Sequence, residues 1–115
     1  MAEGNKNVLV VVTHSPSPAV GERLRMCVGL TLEDANKIRV LFTDDGVHSA
    51  VGIDRDIAGF DIDRHLEMLT MMQLPIYVHE PSVTSRGMTL DRKGITFVDD
   101  DATARLMAES DVILG

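Results

Sequence analysis

The chain has 115 residues, 44% hydrophobic and 25% charged, enough for a single domain, residues 1–115, with a true core. Eleven Lys and Arg stand against 18 Asp and Glu, a net charge of −7. That balance argues against nucleic acid or an anionic membrane as partner, because both need clustered positive charge. One cysteine cannot form an internal disulfide and is too few for a thiolate zinc site. No apolar run is long enough to span a bilayer, and the start MAEGNKN lacks a signal peptide's apolar stretch, so the cytoplasm is the expected location.

Elements alternate along the chain. Asn7 to Thr13 (NVLVVVT) is a continuous β-branched run, the pattern of a strand covered on both faces. After the loop HSPSP, Val20, Leu24, Cys27, Val28 and Thr31 recur at helical spacing and predict a helix from about Ala19 to Asp34. Lys37 to Thr43 (KIRVLFT) is a second strand. DDGVHSAVG turns off it and begins a short helix, and Ile53 to Phe60 read as a loop. Asp61 is suited to cap a helix whose stripe is Ile62, Leu66, Leu69 and Met72. Leu74 to His79 (LPIYVH) is a third strand, stopped by Pro81, whose nitrogen cannot donate. Arg86-Gly87 closes a short helix behind it. Gly94 to Val98 (GITFV) is a fourth strand. Asp99, Asp100 or Asp101 caps a last helix carrying Ala102 and Leu106, and DVILG is a fifth strand.

Strands alternating with helices predict parallel pairing with right-handed crossovers, hence an α/β fold: a three-layer α/β/α sandwich on a mainly parallel sheet of about five strands. Such sheets bind ligands beyond the carboxyl ends of their strands. The residues at those ends are His14 after strand one, Asp44, Asp45 and then His48 after strand two, and His79, Glu80 and Ser82 after strand three. These seven form the candidate site.

The segments VLFTDDGVHS, LPIYVHEPSVTSRGM and ATARLMAESDVIL, in that order, resemble the DsrE/DsrF/TusBCD superfamily of small sulfur-relay proteins. They are most similar to its DsrF/TusC branch, with a D-G-V turn after strand two, R-G-(L/M) after strand three, and a last helix running into S/Y-D-(A/V)-(I/V). The resemblance spans Val8 to Gly115. It implies a parallel α/β/α fold, assembly into homo- or heterohexamers, and the passing of persulfide sulfur between proteins. It also places the acceptor cysteine of the sulfur-carrying members at His79 and a second cysteine of some relatives at Ser82. Imidazole and hydroxyl cannot replace a thiolate in persulfide transfer. The resemblance therefore implies a non-carrier subunit that acts by protein–protein interaction, with self-association as a trimer or hexamer, or cysteine-bearing DsrE-like relatives as partners. The loop HSPSPAVG departs from the family pattern.

Simpler readings stand beside these. Cys27 lies on the core stripe of the first helix, where a buried, inert cysteine is the common case. Asp44-Asp45-Gly46 supplies a turn and a helix start. His14, His48 and His79 with Asp44 or Glu80 have the chemistry of a metal site, but no compact ligand spacing supports one, so no metal or cofactor is expected. The alternative function is a small metal- or ligand-binding protein, or an enzyme, using His79 with Asp44 or Glu80. Enzymatic activity is the lesser expectation. Met68 and Met71 fall away from the Leu66/Leu69 side of their helix, which points to a subunit interface.

Overall fold

The computed structural model describes residues 7–13, 21–27, 37–51, 64, 66–87 and 94–114. His14 and its loop, the later part of the expected first helix, the 53–60 loop and the Asp61 cap lie outside these residues. The five strands are β1 (Asn7–Val12), β2 (Lys37–Phe42), β3 (Ile76–His79), β4 (Ile95–Val98) and β5 (Val112–Leu114). Residues 21–27 (α1) and 66–71 (α3) are helical. The other helices are α2 (Val47–Val51), which follows a 3-10 turn at Asp44–Gly46, α4 (Glu80–Ser85) and α5 (Asp100–Ala108).

The sheet order is β4-β3-β2-β1-β5, and every pairing is parallel. The chain steps in one direction from β1 through β4 and then returns past β1 to place β5. Right-handed crossovers put the helices of the first three steps on one face and the helix of the return step on the other. The core follows that rule. Val8, Val10, Val12, Ile38, Val40, Phe42, Ile76 and Val78 pack with Leu24 of α1, Val47 and Ala50 of α2, Leu66 and Leu69 of α3 and Val83 of α4. The opposite face presents Leu9, Val11, Leu41 and Val98 to Leu106 of α5, with Tyr77 and Ala102 at the margin. Side chains alternate along each strand, so one β-branched run supplies both faces. The α/β/α sandwich is as the sequence predicts.

Three strand starts differ from the sequence reading; that of β5 is Val112 instead of Asp111. β3 begins at Ile76 instead of Leu74, because the Leu74 N–H donates to the Leu69 carbonyl at 3.0 Å and finishes α3. The Gln73 N–H meanwhile donates to the Thr70 carbonyl at 3.0 Å, and Gln73 has φ +62. Together these form a Schellman closure with a non-glycine residue at its left-handed position. Pro75 has no N–H, but its carbonyl accepts from Val40 at 3.1 Å. β4 begins at Ile95, because Gly94, at φ +86, belongs to the turn before it.

At the other end of the strands, the turn after β2 packs tightly on β1. The Thr43 N–H donates to the Val12 carbonyl at 3.0 Å and the Gly46 N–H to the Thr43 carbonyl at 2.9 Å. A Cβ on Gly46 would lie 1.9 Å from the Val12 carbonyl oxygen. Only glycine lets these two backbones approach so closely.

Candidate functional site

His79 ends β3 opposite Val98 of β4. Its position is odd-numbered like Tyr77, so alternation turns it toward the face that α5 covers. β4 stops at Val98, and Asp99 caps α5 by accepting the Ala102 N–H on Oδ1 at 2.8 Å. Three aspartates had equal claim to that cap in the sequence. The choice of Asp99 leaves Asp100 as the first helical residue, beside the imidazole. His79 Nε2 lies 2.6 Å from Asp100 Oδ1.

The other ring nitrogen faces α4. His79 is itself the residue before α4, with extended backbone (φ −71, ψ 106), and Pro81 lies within the first turn, where a missing N–H leaves no helical bond unmade. One turn on, Ser82 comes back under the ring, with Oγ 2.6 Å from His79 Nδ1. Ser82 is the buried polar residue of the described core, 5% exposed. A buried hydroxyl needs partners, and β2 supplies them. The Asp44 N–H donates to Ser82 Oγ at 2.9 Å, and Thr43 Oγ1 lies 3.4 Å away. Phe42 pairs with Val78, so Thr43 and Asp44 arrive level with His79.

The result is a continuous chain from the end of β2 to the start of α5: Asp44 N–H, Ser82, His79, Asp100. When Thr43 donates to Ser82, both hydroxyl lone pairs are filled. The Ser82 proton then points at Nδ1, Nε2 carries the ring proton, and Asp100 accepts it. Arg86 braces the same corner. Its Nε and Nη2 both reach Asp45 Oδ1 at 3.1 Å, and its Nη1 donates at 3.2 Å to the Ser82 carbonyl and to Ser85 Oγ. The Arg86–Asp45 pair is largely exposed, so its ionic part stabilises the fold by less than about 1 kcal/mol.

Of the seven candidate residues, the structure brings His79, Ser82 and Asp44 into one network, Asp44 through its backbone. Asp45 holds Arg86. Glu80 is exposed at the start of α4, and His48 lies half-buried on α2; neither joins the His79 network. His14 is outside the described residues. The carboxylate on His79 is Asp100, in place of the Asp44, Asp45 or Glu80 that the sequence put nearby. Asp100 and Thr43 could not be assigned from spacing, since they meet His79 only through strand pairing. Among the described residues, no three His, Cys, Asp or Glu side chains come together as metal ligands.

The thiol is elsewhere. Cys27, on α1, is 0% exposed in the core with Leu24. Burial pushes its pKa up from the ordinary 9.0 to about 11, against a smaller lowering by the Arg23 charge. Its thiolate fraction at neutral pH is on the order of 10⁻⁴.

Comparison with known proteins agrees with this architecture. The crystal structure of the ychN protein from E. coli superposes with a TM-score of 0.81, covering 95% of this chain and 97% of that one at 20% sequence identity. That likeness is one of fold. No curated protein matches the sequence. Residues 6–114 match the model of the DsrE/DsrF-like family. With nearly the whole length matched, the chain belongs to the DsrE/DsrF-like family.

Proposed function

We propose that the protein is a non-carrier member of a DsrE/DsrF-like sulfur-relay or sulfur-metabolism assembly, acting through contact with other subunits. One observation carries this reading. The strand end where the resemblance places an acceptor cysteine holds His79, hydrogen-bonded on both ring nitrogens, while the single thiol is buried and protonated. Persulfide transfer needs a reachable thiolate, and neither position offers one.

The same edge supports a docking role. Asp44, Asp45, Glu80, Asp99, Asp100 and Asp101 are all exposed there. A partner bearing basic residues would be steered to it, and the association rate would fall with salt. Met68 and Met71 of α3 are 48% and 83% exposed, which supports a second contact through self-association as a trimer or hexamer. The DsrF/TusC branch rests on the sequence motifs alone.

Incubation with a persulfide-loaded cysteine desulfurase, followed by intact-mass measurement, should give no stoichiometric gain of one sulfur. Light scattering of a mixture with a cysteine-bearing DsrE-like relative should report a complex heavier than either alone. A stoichiometric sulfur adduct lost in Cys27→Ala would refute the non-carrier reading. A 12.6 kDa monomer that ignores its relatives would refute the assembly.

A further inference from the structure

The Ser82–His79–Asp100 chain has the connectivity of a nucleophile, a base and an orienting carboxylate. We propose that Ser82 is an acyl-accepting nucleophile, with His79 as its base and Asp100 as the positioning residue. This goes beyond the assembly role and does not depend on it.

Four points carry it. Both links are short, 2.6 Å on each side of the imidazole, within the reach that proton transfer requires. The polarity fits with the Asp44 N–H on one Ser82 lone pair: the Ser82 O–H turned to Nδ1 leaves Nε2–H for the Asp100 carboxylate, and attack through the second pair requires the 3.4 Å Thr43 contact to open. The two ring nitrogens exchange the places they hold in serine proteases, and such a constellation is recognised by roles and geometry, not by sequence order. The Asp44 N–H, 2.9 Å from Oγ, holds that oxygen in one position beside the imidazole, the orientation that attack needs. The group also stands where a strand runs into a helix at the carboxyl edge of a parallel sheet, the usual place for sites in this architecture.

The step balances without a further reactant. Ser82 Oγ attacks the acyl carbon as its proton passes to His79 Nδ1, and the carbonyl π pair moves to oxygen. The tetrahedral adduct collapses, the bond to the leaving group breaks, and the leaving group departs with the Nδ1 proton, or as a stable anion while His79 releases that proton to bulk water. Water then repeats the sequence on the acyl-serine, again through His79, releasing the carboxylic acid and restoring Ser82. Among the described residues no set of donors for the acyl oxygen is built around Ser82, which calls for a good leaving group. The substrate class is thioesters and activated esters rather than amides. Ser82 is 5% exposed, which favours a small acyl group.

The test uses the full chain and p-nitrophenyl acetate, with intact mass to count acetyl groups and peptide mapping to place them. Wild type should gain one acetyl group on Ser82, lost in Ser82→Ala. His79→Gln keeps a hydrogen-bonding side chain without a base and should acylate about 100-fold more slowly. Asp100→Asn should slow acylation with the melting temperature unchanged, and Asp100→Glu should recover part of the rate. Folded wild-type protein with neither an acetyl group on Ser82 nor a release of p-nitrophenol that Ser82→Ala abolishes would overturn the proposal. So would Ser82 acetylation at the same rate in folded His79→Gln or, should that variant not fold, in Asp100→Asn.

Discussion

At the amino end of the sheet, the polar links are divided between backbone carbonyls and side chains, and none passes through a group that titrates near neutral pH. The Asn7 N–H donates to Asp111 Oδ2 at 2.9 Å, the Asp111 N–H returns to the Asn7 carbonyl at 2.8 Å, and Asn7 Nδ2 reaches the Glu109 carbonyl at 3.3 Å. Ser110 Oγ donates to the Leu106 carbonyl at 2.6 Å. Arg39 reaches Glu109 and Ser110 from the start of β2, while its buried Nε has no hydrogen-bond partner among the described residues. These contacts fasten the end of α5 and the start of β5 to β1 and β2. At the carboxyl end the links run from side chain to side chain through an imidazole, and they join elements that no short stretch of sequence connects. A fastener needs only to hold. A relay also holds, but it adds a group that can take and return a proton. That difference separates the architectural end of this sheet from its chemical end.

The largest expected effect lies where the chemical end is itself tightly built. Gly46→Ala would drive a Cβ to 1.9 Å from the Val12 carbonyl oxygen, and a backbone atom cannot step aside as a flexible side chain can. We expect a loss of about 3 kcal/mol or more, seen as a fall in melting temperature of about 10 °C or more. A loss below about 1 kcal/mol would mean that the turn after β2 is loose, and that Asp44 does not hold Ser82 in one place.

Cys27 tests whether the chemistry is confined to that edge. Its pKa is near 9.0 when unfolded and about 11 when folded, through burial. The folded state therefore keeps a proton that the unfolded state gives up. The stability this contributes is complete below about pH 9 and is lost as pH rises toward 11. Linkage puts the total at about 2–3 kcal/mol. Chemical denaturation of wild type and Cys27→Ala across pH 8–11 should show the extra decline in wild type alone. Parallel curves would mean that the thiol is accessible, and would reopen the case for it as a sulfur acceptor.

Much of this was legible in the sequence because it is periodic. The run from Asn7 to Val12 declares a two-sided strand by its composition. Leu66 and Leu69 face the core while Met68 and Met71 face out, as their spacing requires. Strand ends were legible too, since Pro81 limits β3 at His79 whatever lies around it. What could not be read was who meets His79. Ser82, three residues on, stands among the strand-end candidates and where a relative has cysteine, but spacing alone does not mark it as the partner of the His79 ring. Asp100 enters through the β3–β4 register, and Asp44 through a bend whose backbone, not its carboxylate, does the bonding. Sequence spacing reports neighbours on one element. It is silent on the meeting of three elements at a sheet edge.

At the amino end, Asp111→Ala removes the acceptor of the Asn7 N–H. The group is exposed and water replaces the lost partner, so the expected loss is about 0.5–1 kcal/mol, measured by urea denaturation. Acylation of Ser82 by p-nitrophenyl acetate should be unchanged. A reactivity change at the far end of the strands would break the division between the two ends.

The smallest effects come from two residues that share a backbone conformation, one at each end. Gln73, in the lead-in to β3, has φ +62, and Asp44, after β2, has φ +53. A left-handed conformation costs an ordinary L-residue about 1–2 kcal/mol. Glycine removes that strain but adds freedom to the unfolded chain, at about 0.5–1 kcal/mol. For Gln73→Gly the balance favours a gain of about 0.5–1 kcal/mol, since its role is a helix closure that glycine fills best. Aspartate tolerates the left-handed region better than glutamine, so Asp44→Gly has less strain to relieve and still loses chain stiffness. Its expected change is close to zero or slightly destabilising. The acylation rate separates the two sites further. Gln73→Gly should leave it alone, whereas Asp44→Gly, by loosening the N–H that holds Ser82 Oγ, should lower it. Equal gains in stability with no change in acylation would show that the backbone at Asp44 is only a turn, and that the relay does not depend on how β2 ends.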